Sequence, residues 1–350
     1  MLTIPTMTQA FHFNHNLCTG CHACVVACQI ENGSDMQVPW REVSTFNARQ
    51  HPEVPLFHYS LACNHCEEAP CMSSCPALAF TQDEGLNTID HHADRCIGCT
   101  YCTWACPYDA PKYVQASGVV EKCTSCRHRL EAGKKPACAN LCPTGALDYR
   151  KIERRDQSRI LGFTEAGIVP GIEVVGLRNR KPPRSVLKLE KDELKQFEAL
   201  ELNSPSKINL QKEWVLVLFT LLVPSLTALV AAASLGWIEL NPFAFLAAGL
   251  AGLVLSSVHL GRKLRAWRSV LNLRNSWLSR EILGYGLFLG ATLAWFLFPD
   301  YRMIAYVAAL LGFATSYIID KVYLYLEKST RLNVQSNNVF LTALLLTSLL

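Results

Sequence analysis

The sequence predicts two parts of different class. Residues 1–175 should form an α+β domain that holds metal, and residues 214–350 an all-α transmembrane helix bundle, with a linker at 176–213. Three observations predict this. The chain has 16 cysteines, all between Cys18 and Cys142, in four groups of four. Charged residues are frequent up to the linker and sparse after it. The remaining sequence is a series of long apolar runs separated by short charged loops. The net charge of +4 is small and scattered, which argues against nucleic acid as a partner. The first residues, MLTIPTMTQAFHF, lack the basic start and apolar core of a signal peptide. The twin arginine Arg154–Arg155 has no apolar run behind it, so it does not read as an export signal.

The cysteine spacing identifies the metal chemistry. Cys18, Cys21, Cys24 and Cys28 read C-x2-C-x2-C-x3-C, and Cys96, Cys99, Cys102 and Cys106 repeat that spacing. Cys63, Cys66, Cys71 and Cys75 read C-x2-C-x4-C-x3-C, and Cys123, Cys126, Cys138 and Cys142 read C-x2-C-x11-C-x3-C. Cysteines this close in a triplet rarely pair with each other, which argues against a disulfide scaffold. Zinc sites bring C-x2-C pairs from two separated loops, and only the fourth group looks like that. Cubane iron–sulfur clusters suit all four. A C-x2-C-x2-C loop wraps one face of a cubane with three thiolates, and in two-cluster ferredoxins the fourth cysteine ligates the other cluster. Pro76, Pro107 and Pro143 follow the last cysteine of their groups and stop the local turn, whereas Gln29 follows Cys28. The expected fold is ferredoxin-like, with four 4Fe–4S clusters.

At these residues the chain resembles the four-cluster iron–sulfur subunit of the molybdopterin oxidoreductases, the DMSO reductase group in particular. The resemblance covers roughly residues 10–175 and includes C-T-G-C-x-A-C at Cys18–Cys24 and C-P-T-G-A-L at Cys142–Leu147. It implies nested sharing of ligands. Cys18, Cys21 and Cys24 would join Cys142, and Cys123, Cys126 and Cys138 would join Cys28. Cys63, Cys66 and Cys71 would join Cys106, and Cys96, Cys99 and Cys102 would join Cys75. In sequence, the fourth group lies closest to the linker and the membrane half. His22, His65 and His128 lie among the ligands, either as ordinary surface histidines or as hydrogen-bonding tuners of a cluster. The run Arg178–Arg184 reads as a solvated linker, with a partner or lipid-headgroup contact as the alternative.

In the second part, Val215–Leu235, Pro242–Leu260, Ile282–Phe298 and Met303–Ile319 are each close to the ~20 residues that cross a bilayer. Trp214, Trp237, Trp277 and Tyr301 flank them as an aromatic belt would. Gly286 and Gly290 form a G-x-x-x-G face suited to close helix approach. The expectation is four complete helices and a partial fifth. The run Val339–Leu350 is too short to cross, so the bundle reads as truncated. The loop Gly261–Arg280 is basic, as are Lys207, Lys212, Lys321, Lys328 and Arg331, while the other side has only Arg302. The positive-inside rule then puts the cluster domain on the cytoplasmic side of a bacterial inner membrane, although catalytic partners in the resembling family are often exported.

His259 ends the second run and Glu281 begins the third, so both should lie near one membrane face. Ionisable residues at this depth point to function, and a histidine with a carboxylate suits the proton release of quinol oxidation. Simple interfacial anchoring is the alternative. The stretch Val258–Gly290, with H-L-G-x-x-x-R-A and S-x-E-I, and Glu213–Trp214 before the first run, are similar to the membrane anchor subunit of DMSO reductase. That resemblance implies a menaquinol site at His259 and Glu281, with Arg265 matching a family arginine. The chain then reads as an electron-transfer subunit fused to its anchor. It would take electrons from the menaquinone pool, within the lipid bilayer, to a separate molybdopterin subunit that reduces an S- or N-oxide such as DMSO. The alternatives are reverse flow, from a partner oxidising formate, hydrogen or a sulfur compound, and a redox-sensing or structural cluster protein.

Overall fold

The computed structural model describes residues 7–35, 37–48, 55–153, 168–178, 210–330 and 338–349. The twin arginine Arg154–Arg155 and most of the linker, with the Arg178–Arg184 run beyond its first residue, lie outside the described residues.

The first part is built on a small sheet. Strand β1 (Met7–Asn14) lies at its centre, antiparallel to β8 (Leu147–Glu153) and parallel to β9 (Ile172–Val175), in the order β8-β1-β9. Phe11 sits opposite Tyr149 on one side and Ile172 on the other. Three hairpins complete the strands: β2 (Glu42–Phe46) with β3 (Phe57–Leu61), β4 (Phe80–Asp83) with β5 (Thr88–His91), and β6 (Lys112–Val114) with β7 (Val119–Glu121). Helix α1 (Ala23–Asn32) is followed by four single-turn helices: α2 (Pro70–Ser74), α3 (Tyr101–Ala105), α4 (Arg127–Glu131) and α5 (Ala137–Asn140). Elements this short cannot bury a large core by themselves. The buried residues are accordingly of two kinds. Phe11, Phe13, Phe57, Tyr59, Leu147 and Tyr149 pack together as ordinary apolar core, and most of the cysteines fill the rest of the interior.

The second part is helical. Helix α6 (Leu210–Ser234) carries Pro224 within it, and α7 (Pro242–Val258) begins with Pro242 at the first turn and Asn241 as its cap. A 3-10 segment (Lys263–Val270) follows, bent from α7 by 104°. Helix α8 (Trp277–Leu297) is capped by Ser276, α9 runs over Arg302–Thr330, and α10 over Asn338–Leu349. Each of the four apolar runs therefore forms a helix. On length and composition, however, two of them suffice to cross a membrane, over Trp214–Ser234 and Arg302–Tyr323, or three if the bent pair counts as one. The reason is local. Seventeen residues of α7 span about 26 Å, short of the ~30 Å hydrocarbon core, and α8 carries Arg280 and Glu281 near its start.

The bundle packs through glycines, though not through Gly286 and Gly290, which are exposed and have no neighbour where a side chain would project. Close approach occurs instead at Gly252 under the Tyr285 ring, at Gly312 against Thr227 and Phe288, and at Gly284 against Thr315. Tyr285 Oη donates to Gly249 O at 3.0 Å. The G-x-x-x-G expectation named the right device at the wrong residues, because α8 turns that face outward.

Candidate functional site

Each cysteine group opens with a C-x2-C loop that turns through left-handed backbone just before its second cysteine. Gly20 (φ 69°) and Gly98 (φ 70°) take this conformation without cost, and His65 (φ 43°) and Ser125 (φ 55°) adopt it despite their side chains. In the two groups with the C-x2-C-x2-C spacing, the next residue, His22 or Thr100, is left-handed as well, and a helix starts at once. The turns aim backbone N–H groups at sulfur. Gly98 N donates to Cys96 Sγ at 3.4 Å, Ser125 N to Cys123 Sγ at 3.3 Å, Ala79 N to Cys75 Sγ at 3.4 Å and Leu147 N to Cys142 Sγ at 3.4 Å. Such donors stabilise thiolate over thiol.

The loops bring the sixteen sulfurs into four sites. Site A gathers Cys18, Cys21, Cys24 and Cys142 around a cavity of about 310 Å³. In site B, Cys28, Cys123, Cys126 and Cys138 bear on one another's charge, and Asn32 Nδ2 reaches Cys28 Sγ at 3.7 Å and Cys126 Sγ at 3.5 Å. Site C sets Cys63, Cys66, Cys71 and Cys106 around about 330 Å³. Site D joins Cys75 to Cys96, Cys99 and Cys102. The sites run in the order A, B, C, D: Cys24 neighbours Cys138, Cys123 neighbours Cys63, and Cys71 neighbours Cys75. A single zinc ion would draw its thiolates in to about 2.3 Å and close them on a point. Sites A and C keep open volumes instead, which suits a cluster.

Burial pushes most of these thiols up, Cys28 to about 12 and Cys71, Cys99 and Cys123 further still. Iron therefore has to displace protons that burial favours. Cys142 goes the other way. Burial raises it, but N–H groups of Leu147, Thr144 and Ala146 and the Thr144 hydroxyl together hold it below its usual value.

Sequence reasoning missed two residues in this interior. Arg41 and Lys122 are the only Lys or Arg side chains buried among the described residues. Burial opposes both charges, and the surrounding thiolates outweigh it, so both pKa values are raised. A lone arginine in a strand-like stretch and a lysine beside a cysteine gave no signal that they would point inward. The three histidines contribute less. His128 Nε2 meets Glu31 Oε1 at 2.8 Å on the surface, and His65 Nδ1 accepts from Ile89 N at 2.9 Å.

Site D is the one that meets the membrane half, although the fourth group is nearer in sequence. Gly261 N donates to Gly98 O at 3.4 Å and Arg262 N to Ile97 O at 3.1 Å, both within the Cys96–Cys99 loop. A Cβ on Gly98 would lie 2.3 Å from Gly118 O and 2.9 Å from Gly261 Cα, so three glycine backbones touch here. Asn272 Nδ2 donates to Ser73 O at 3.2 Å and Cys75 O at 2.9 Å, and Ser276 Oγ to Ser74 O at 2.8 Å. From the other side, Tyr101 Oη donates to Val322 O at 3.0 Å. Leu260 is buried among the residues of sites C and D.

The quinol-site expectations fall at this junction. His259 caps α7 directly before Leu260, and its Nδ1 is buried without a hydrogen-bond partner. Glu281 is buried just beyond the first turn of α8. Arg265 Nη1 donates to Ala93 O at 2.7 Å and Cys96 O at 3.1 Å, so it ties the 3-10 segment to site D.

Comparison with known proteins agrees with both halves. A family described as "4Fe-4S dicluster domain" matches residues 54–152, and one described as "DMSO reductase anchor subunit" matches 210–350. An anaerobic dimethyl sulfoxide reductase polypeptide of Escherichia coli K12 is 36% identical over 157 residues, covering 42% of this chain and 76% of that protein. The polypeptide of the same name from Haemophilus influenzae is 34% identical over 170 residues, covering 46% and 80%. The thiosulfate reductase electron transfer subunit of Salmonella typhi is 38% identical over 154 residues, covering 42% and 78%. The group that the matching family binds is the 4Fe–4S cluster, a one-electron carrier when bound, and the clustered cysteines suit it. The chain belongs to the iron–sulfur electron-transfer subunits of the DMSO reductase group, and a DMSO reductase-type membrane anchor continues from the same polypeptide.

Proposed function

We propose that this chain carries electrons from menaquinol in the membrane to a separate molybdopterin subunit, by way of four 4Fe–4S clusters held at sites A to D. The observation that carries the reading is the junction. The loop and helix ends bearing His259 and Glu281 are the same segments that grip site D. At the other end of the series, site A opens to the surface at Cys21, among exposed Leu17, Val26, Ile30 and Leu141. That rim suits docking of the catalytic subunit. His259 would hydrogen-bond the quinol hydroxyl or take its proton, and Glu281 would pass a proton on. Arg265 would hold the junction in register beside them.

In this reading the helices over Trp214–Ser234 and Arg302–Tyr323 cross the membrane. The basic loop at residues 261–280 supports the cytoplasmic side for the cluster domain. The names of the relatives support the sulfur-centred side of the S- or N-oxide reading for the catalytic partner. A His259→Arg variant, assayed with its catalytic partner, should lose quinol-dependent reduction by more than tenfold and keep its activity with an artificial donor. Equal loss of both would overturn the quinol site.

One observation favours a second direction of flow. A relative of similar identity, at 34% over 185 residues, is a sulfite dehydrogenase polypeptide of Allochromatium vinosum. Electrons would then pass from the partner to quinone. Direction follows cluster potentials, and a redox titration of the four clusters decides it.

A further inference from the structure

The series of sites contains two buried charges that nothing in the ligand pattern requires. Arg41 and Lys122 are each 2% exposed, and neither has a carboxylate within ion-pair distance among the described residues. A buried cation with no counter-charge is strongly disfavoured, so something else must compensate each of them.

Their positions show what does. Arg41 Nη1 donates to Ser60 O at 3.3 Å and to Ser60 Oγ at 3.1 Å, and that hydroxyl lies 3.3 Å from Cys24 Sγ of site A. The charges of Cys138, Cys123 and Cys28 of site B act on the same guanidinium, as does that of Cys24. Its Nε has no acceptor among the described residues. Lys122 Nζ is fixed by the carbonyls of Ile89 and Cys123, and the nearest acting charges are Cys63 and Cys71 of site C and Cys123 of site B. Asp90 also acts on it, but that carboxylate is already paired with Arg127. Arg41 therefore sits between sites A and B, and Lys122 between sites B and C. Site D, which lies against the membrane half, has neither.

We propose that Arg41 and Lys122 set the reduction potentials of the relay, Arg41 raising those of the clusters at A and B and Lys122 those at B and C. The inference rests on the reading that the sites hold cubanes. A cubane held by four thiolates is a dianion when oxidised and gains one more negative charge on accepting one electron, with no proton taken up. The electron is given up by the neighbouring cluster, which is oxidised. A fixed cation at the boundary stabilises the reduced form of whichever neighbour holds the electron. The cluster at B, flanked by both, is raised most.

The test is a redox titration of the full-length chain with its membrane half, each cluster followed by electron paramagnetic resonance. Wild-type iron content and four resolvable clusters are established first, so that failure of the cluster reading is seen separately. Arg41→Gln is expected to lower two potentials and Lys122→Met two, with one cluster moved by both. Each shift should be about tenfold or more in the equilibrium constant of reduction, which is 59 mV for a one-electron couple. Potentials unmoved in both variants, or shifts of equal size at all four clusters, would overturn the assignment. If a neutral variant loses a cluster, Arg41→Lys and Lys122→Arg take its place. Potentials near wild type in these charge-keeping variants support the proposal, and tenfold shifts overturn it.

Discussion

Two loops of this chain have the same cysteine spacing and opposite surroundings. Cys18–Cys28 and Cys96–Cys106 both read C-x2-C-x2-C-x3-C, with glycine before the second cysteine and a left-handed residue after it. The first reaches the surface at Cys21, which is exposed, while the second is pressed under the membrane half by Gly261 and Arg262. The spacing sets how a loop wraps its group. What packs on the loop sets whether it faces a separate partner or the rest of its own chain.

Substitution at the matched glycines should break the comparison most sharply. Either Gly20→Ala or Gly98→Ala puts a side chain at positive φ, a cost of about 1–2 kcal/mol. At Gly20 the new methyl meets the His58 ring, which can rotate away; at Gly98 it meets the backbones of Gly118 and Gly261. Overpacking then adds about 1–3 kcal/mol at Gly98 alone. Denaturant titration should find Gly98→Ala the more destabilising, and quinol-dependent turnover should fall only in that variant.

A smaller effect is expected from the polar clamp. Asn272→Ala leaves the carbonyls of Ser73 and Cys75 without their donor, at about 1–3 kcal/mol. Thermal melting followed through the cluster absorbance should register it as a lower midpoint, with the rim of site A unaffected in limited proteolysis. The smallest change is Tyr101→Phe, which removes one hydrogen bond to Val322 O, worth about 1 kcal/mol. It should shift the same melting midpoint by less than Asn272→Ala does.

Much of the cluster domain was legible because cysteine spacing is a local signal. The sixteen cysteines and their four groups could be read directly, and the nested sharing was implied by a family resemblance. The junction was harder to read. Sequence distance pointed to the fourth group as the one nearest the membrane, yet Cys142 belongs to the surface site and Cys75 to the buried one. Chain order does not give spatial order when ligands are shared between distant loops. The buried cations were invisible for a related reason: Arg41 and Lys122 carry the same residue types as the solvated surface, and only the fold turns them inward. In the membrane half the apolar runs gave the helices, but helical facing was misjudged at Gly286 and Gly290, where periodicity alone does not say which side is occupied.

The hydrogen bonds across the junction share one property. Arg265, Arg268, Asn272 and Ser276, and the N–H groups of Gly261 and Arg262, all donate to main-chain carbonyls of the cluster domain. Tyr101 does the same in reverse, reaching the carbonyl of Val322. The cluster domain is thus recognised by the path of its backbone, and that path is drawn by the cysteines. Apart from Gly98, Gly118 and Tyr101, side chains on its docking face are free to drift as long as the loops keep their shape, whereas the donors opposite them are not. A change at Asn272 has to be answered within the membrane half, because no replacement at Ser73 or Cys75 alters the carbonyl it has lost.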